Sequence, residues 1–117
     1  MRKTPLTIAE FGDIHLGNPN TPTESIVAGL MRALPDNALT GEIDLIILAG
    51  DVFDRQLGFG DTQIGEIQIF IHYLLKLCKR WDIVLRILEG TPSHDWRQSR
   101  TFETLNTVSG MGVDLKY

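Results

Sequence analysis

Three short polar clusters in this 117-residue chain each follow an apolar run and a glycine. Gly12-Asp13-Ile14-His15 follows Leu6 to Phe11, Gly50-Asp51-Val52-Phe53-Asp54 follows Asp44 to Ala49, and Gly90-Thr91-Pro92-Ser93-His94-Asp95 follows Ile83 to Leu88. Carboxylate and imidazole together suit divalent cations such as manganese, iron or zinc. Asp13 and His15 are two residues apart, so an extended segment would point both side chains the same way, onto one ion. Asp51 offers two oxygens, enough to bridge a pair of ions. An aspartate directly after a buried apolar run also needs a cation or several donors to stay charged. Taken singly, each cluster is what a polar loop beside a strand end looks like, and Ser93 is what a turn after Pro92 looks like. Their repetition in one context favours a site, because open α/β sheets gather ligand groups beyond the carboxyl ends of their strands.

The segments that must position these clusters alternate between strand and helix patterns, which defines an α/β fold. Leu6 to Phe11 reads as the first strand. A loop from Gly17 to Thr23 holds two prolines and two asparagines, and Thr21 or Thr23 would cap a helix running to about Leu34, before Pro35. Asp44 to Ala49 is a continuous apolar run, as expected of a parallel strand covered on both faces. Asp61 or Thr62 opens the longest helix, ending near Trp81. Ile64, Ile67, Ile71, Leu74, Cys78 and Trp81 line its apolar face, with Gln68, His72, Lys76 and Lys79 opposite. Ile83 to Leu88 is a third strand, Ser99 to Val108 a weaker helix, and Gly112 to Tyr117 the start of a fourth strand. His72 reads as a solvated helix residue and Cys78 as plain core. Trp96, Arg97 and Arg100 read as the start of a helix, with contact to a nucleic-acid strand as the alternative.

Composition sets the outer limits. With 43% hydrophobic and 22% charged residues the chain has a globular composition, and its length suits a single domain. No apolar run reaches the roughly 18 residues of a membrane span, and the start, with Glu10 interrupting a short apolar stretch, makes a poor signal peptide. Cytoplasmic residence is the default expectation. One cysteine excludes an internal disulfide and a multi-cysteine zinc site. The net charge of −4 argues against gripping nucleic acid by bulk electrostatics, yet it leaves a nuclease open, because bound cations supply charge that the formal count omits.

The ordered pair Asp13-x-His15 and Gly50-Asp51-x-x-Asp54 resembles the calcineurin-like metallophosphoesterase family, whose signature runs D-x-H, G-D-x-x-D, G-N-H-D or G-N-H-E, and later G-H-x-H. Gly12-Asp13-Ile14-His15-Leu16-Gly17 and Gly50-Asp51-Val52-Phe53-Asp54-Arg55 are most similar to the SbcD-type DNA-repair exonucleases of that family. The resemblance covers roughly residues 6 to 110. It implies an αββα four-layer sandwich, of which this chain is the first half, with a mostly parallel sheet and flanking helices. It implies Asp13 and His15 on a first metal, Asp51 bridging to a second, and Asp54 orienting the site from behind. Ser93 stands where the family has a metal-binding asparagine, His94 matches the family's catalytic histidine, and Asp95 would hold that imidazole's orientation. The third cluster departs from the signature by two extra residues. No histidine follows His94, so residues 1–117 read as the amino-terminal part of a nuclease domain lacking the later motifs.

The implied activity is hydrolysis of phosphodiesters, with DNA as substrate and two manganese ions as cofactors. The implied partner is a coiled-coil ATPase of SbcC type. The missing histidines favour a second reading, a catalytically incomplete piece acting as a structural or binding module, and a phosphoesterase on a non-DNA substrate is a third. A receiver-type phosphoacceptor site lacks its lysine, and a P-loop lacks G-x-x-x-x-G-K-[ST]. The apolar surface a half-domain exposes predicts a homodimer.

Overall fold

A computed structural model describes residues 5–55, 57, 61–90 and 100–116. Its strands are β1 (Ile8–Phe11), β2 (Leu45–Ala49), β3 (Val84–Leu88) and β4 (Leu115–Lys116), and its helices are α1 (Thr23–Ala33), α2 (Ile64–Trp81) and α3 (Arg100–Ser109). The fold is α/β. All four strands are parallel and lie in sequence order β1-β2-β3-β4. The expectation of a mostly parallel sheet is thus met in full among the described residues.

Sequential order has a physical consequence. A parallel crossover is right-handed, so strands added always on the same side place every crossover helix on the same face. Accordingly α2 packs between α1 and α3. Ile46, Leu48, Leu85 and Ile87 point under these helices and are almost fully buried. The intervening positions, Ile8, Leu45, Ile47, Ala49, Val84 and Leu88, point the other way and are only partly buried or exposed. Among the described residues, helices therefore flank one face of the sheet rather than both. One helical layer on one sheet is compatible with the first half of an αββα sandwich.

The core is built mainly by α2. The expected stripe is present, with Ile67, Ile71, Leu74 and Cys78 buried and Gln68, His72, Lys76 and Lys79 exposed, but it is wider than the spacing suggested. Phe70, Leu75 and Leu77 are buried as well, because this helix meets the sheet on one side and α1 and α3 on the others. The Tyr73 hydroxyl donates to Leu34 O at 2.6 Å, and Arg80 and Trp81 donate to Asp36, so the carboxyl end of α1 is fixed to α2. Neither Thr21 nor Thr23 caps α1: Pro22 occupies that place and Thr23 is the first helical residue. Among the described residues no helix is long and apolar enough to cross a membrane.

Cys78 is core, as expected. Burial pushes its thiol up to about 12 from an ordinary 9.0. The folded chain keeps this proton where the unfolded chain loses it, so stability falls as pH rises from about 9 toward about 12. Between about pH 9 and 10.5, chemical denaturation is expected to show wild type losing roughly 1.5 kcal/mol more than Cys78→Ala. Equal losses would show that the thiol is not what titrates.

Candidate metal centre

The loops that leave β1 and β2 do not diverge. His15 N–H donates to Asp51 O at 3.0 Å, Leu16 N–H to Val52 O at 2.8 Å, and Asp54 N–H to Leu16 O at 2.8 Å. Leu16 and Phe53 form a further parallel bridge, so the pairing of β1 with β2 resumes beyond the glycines. Ile14, Leu16, Val52 and Phe53 are buried and fasten both loops to the core. Between these apolar anchors Asp13, His15 and Asp51 stand out on the carboxyl end of the sheet.

One ligand atom from each of Asp13, His15 and Asp51 lies within 4.8 Å of the other two. The backbone achieves this in a way the spacing did not suggest. Asp13, His15 and Asp51 have φ of 51°, 55° and 49°, so all three are left-handed and the Asp13–His15 segment is not extended. Left-handed backbone costs a non-glycine residue roughly 1–2 kcal/mol. Asp and His tolerate it better than most residues, and such conformations persist where function and the surrounding structure hold them.

His15 is oriented from both ends of its ring. Nε2 lies 3.7 Å from Asp13 Oδ1, and the buried Nδ1 lies 3.2 Å from Asp54 Oδ1, an ion-pair approach off the ideal hydrogen-bond line. A proton held on Nδ1 toward Asp54 leaves the Nε2 lone pair for a cation beside Asp13 and Asp51. Asp54 thus lies behind the imidazole, as the resemblance implied, and Asn18 Nδ2 donates to the same Oδ1 at 3.4 Å. Arg55 does not pair with Asp54 but with Asp61, at 2.8 Å. The Gln63 N–H bond, and then the Arg55 guanidinium, hold the Asp61 carboxyl below its ordinary value.

The donor set fits a divalent cation. Two carboxylates and one imidazole converge, with a third carboxylate behind the ring, a set of oxygen and nitrogen donors of the kind that binds divalent cations. Asp54→Asn keeps the shape but weakens the hold on Nδ1, so manganese affinity is expected to fall about 10- to 100-fold with the fold intact. Calorimetry showing an unchanged Kd would remove Asp54 from this role.

Two contributors escaped the sequence reading. The Thr23 hydroxyl accepts Gly17 N–H at 3.0 Å and bonds Gln63, tying the loop after β1 to the starts of α1 and α2. Gly90, at the end of β3, approaches Asp51 so closely that an added Cβ would overlap Asp51 N and Oδ1 and lie 3.0 Å from its Cγ. The third strand end therefore meets the site through its backbone. Ser93, His94 and Asp95, with Trp96 and Arg97, lie outside the described residues, and His72 is exposed on α2. No protein-family profile matches the chain, and no curated protein matches it.

Proposed function

We propose that the chain carries the first part of a two-metal phosphoesterase site and that its chemistry is hydrolysis of phosphodiesters, with DNA as substrate. The observation that carries this reading is the convergence of Asp13, His15 and Asp51 within 4.8 Å on two interlocked loops. When bound, divalent ions supply positive charge for the phosphate and acidify an attacking water. Asp13 and His15 would hold the first ion, and Asp51 would be shared with the second. Asp54 keeps the His15 proton on Nδ1. By the family resemblance, His94 would protonate the leaving oxygen, Asp95 would orient His94, and Ser93 would offer a neutral oxygen ligand. The partner in this reading is a coiled-coil ATPase of SbcC type.

Asp13, His15 and Asp51 complete neither ion's coordination, and no histidine follows His94. Metal binding without hydrolysis is accordingly the expected behaviour of these 117 residues alone. Titration with manganese, followed by calorimetry or by loss of the free-ion resonance signal, is expected to show saturable binding. Absence of binding up to millimolar manganese would overturn the reading. Hydrolysis assays on double-stranded DNA, single-stranded DNA and bis(p-nitrophenyl) phosphate then test substrate class, in a chain that also contains a G-H-x-H segment. Turnover of the small diester with DNA untouched would remove DNA as the substrate.

A further inference from the structure

Asn18 lies half-buried just past the cluster, in the loop that leaves β1, with its main chain and both ends of its side chain engaged. Its N–H donates to His15 O at 3.2 Å, closing a turn from His15 to Asn18. Gly17, at the third position with φ of 90°, supplies the left-handed backbone that a type II turn needs there. The side-chain Oδ1 of Asn18 accepts Asn20 N–H at 2.7 Å and Thr21 N–H at 3.2 Å. Its Nδ2 donates to Asp54 Oδ1 at 3.4 Å, the same oxygen that lies 3.2 Å from His15 Nδ1. The two main-chain donors decide which end of the amide is the oxygen. Reversed, the amide nitrogen would face two N–H groups and the oxygen would face a carboxylate, so neither contact would survive. The Nδ2 end is therefore committed to Asp54.

We propose that Asn18 is a positioning residue for the cation site, acting through Asp54. A carboxylate without a fixed donor can turn about its side-chain bonds and present either oxygen. Here Asn18 Nδ2 and His15 Nδ1 approach one oxygen, Oδ1, so that atom is held facing the ring. The contact from Asn18 is long for a hydrogen bond, so what it contributes is direction. With its proton held on Nδ1, the imidazole keeps the Nε2 lone pair beside Asp13 and Asp51. The turn adds a second constraint, because Asn18 N–H is bonded to the carbonyl of His15 itself. The ring and the amide that steadies its acceptor are thus parts of one unit. A residue that only shaped the loop would need the two bonds at Oδ1 and nothing at Nδ2. This inference rests on the metal reading of Asp13, His15 and Asp51.

Asn18→Ser separates the two ends of the amide. Its hydroxyl can still accept Asn20 N–H, as serine does in turns, but nothing on it reaches Asp54. Nitrogen NMR of the metal-free, histidine-labelled protein at about pH 8.5, where an ordinary imidazole is neutral, reads the ring directly. Wild-type His15, assigned by the signals that His15→Asn lacks, is expected as one tautomer with its proton on Nδ1, and Asn18→Ser as a mixture of two. Manganese affinity by calorimetry is expected to fall about tenfold in Asn18→Ser, the low end of what outer partners of a metal ligand contribute, with an unchanged denaturant midpoint. Added to Asp54→Asn, the same substitution is expected to cost nothing further, because its route to the ring is already cut. A single Nδ1-protonated tautomer in Asn18→Ser would show that Asn18 only shapes the loop, and would overturn the proposal. So would a further tenfold loss in the double variant, which would mean that Asn18 acts by another route. The ring spectra need no metal, so a wild type that bound no manganese would end the metal reading while the tautomers still decided the role of Asn18.

Discussion

Asp51→Asn is expected to lower manganese affinity at the cluster by at least about 100-fold, roughly 2.7 kcal/mol, while leaving the melting temperature nearly unchanged. The choice of asparagine follows from the backbone. Asp51 is left-handed, with φ of 49°, and asparagine tolerates that region where alanine would add strain. The amide keeps the shape but loses the charge, and one of its two oxygens becomes a donor that repels a cation. His15 N–H still finds the Asp51 carbonyl, a main-chain group, so the two loops stay interlocked. A wild-type manganese isotherm in this variant would show that the carboxylate is not a ligand, and hydrolysis by a longer chain that survives the substitution would sink the bridging role.

Gly90→Ala is expected to damage the same site from the neighbouring strand without replacing any of the three clustered side chains. The new methyl would overlap the main-chain nitrogen and a carboxylate oxygen of Asp51, and Asp51 is held on its other side by the loop after β1. Either the end of β3 or the aspartate must shift. Overpacking of this kind costs about 1–3 kcal/mol, and displacement of one ligand is expected to weaken manganese binding about tenfold. Gly65→Ala is the informative control. Its added methyl meets nothing within 4 Å, and alanine is the better helix former inside α2, so that variant is expected to gain up to about 1 kcal/mol. Denaturant midpoints that move the same way in both variants would contradict this account of Gly90.

Much of the architecture was legible because it follows from periodicity. The runs ending at Phe11, Ala49 and Leu88 are strands, the three-and-four spacing from Ile67 to Cys78 marks the buried side of α2, and the tail does begin a fourth strand at Leu115. The trio Asp13, His15 and Asp51 was legible because polar groups after apolar runs and glycines recur in one context. Its geometry was not. Two-residue spacing suggests an extended strand, and nothing local announces that Asp13 and His15 turn left-handed around a buried Ile14. Gly90 was legible as the glycine that ends the third strand, but its φ is not in the left-handed range, and what requires glycine is the approach of Asp51, a long-range fact. Arg55 offered Asp54 next door and Asp61 further along. The pairing with Asp61 is a tertiary outcome that nearness in sequence does not give. The one-sided helical layer was implied by the resemblance to an αββα sandwich, although composition alone does not encode the strand order that produces it.

That strand order also bears on how the molecule is made. Because β1, β2, β3 and β4 lie side by side in the order of synthesis, the sheet extends at one edge, in the direction in which the ribosome delivers the chain. Each new strand meets a template already laid, and none must wait for a later segment to be inserted between two earlier ones. Each pairing still waits for a crossover of about 30 to 40 residues, as parallel strands require. The pair of loops bearing Asp13, His15 and Asp51 can interlock as soon as β2 has emerged, and the arrival of β3 then brings Gly90 against Asp51. On this view the cluster is an early product of biosynthesis, set while the rest of the chain is still being translated.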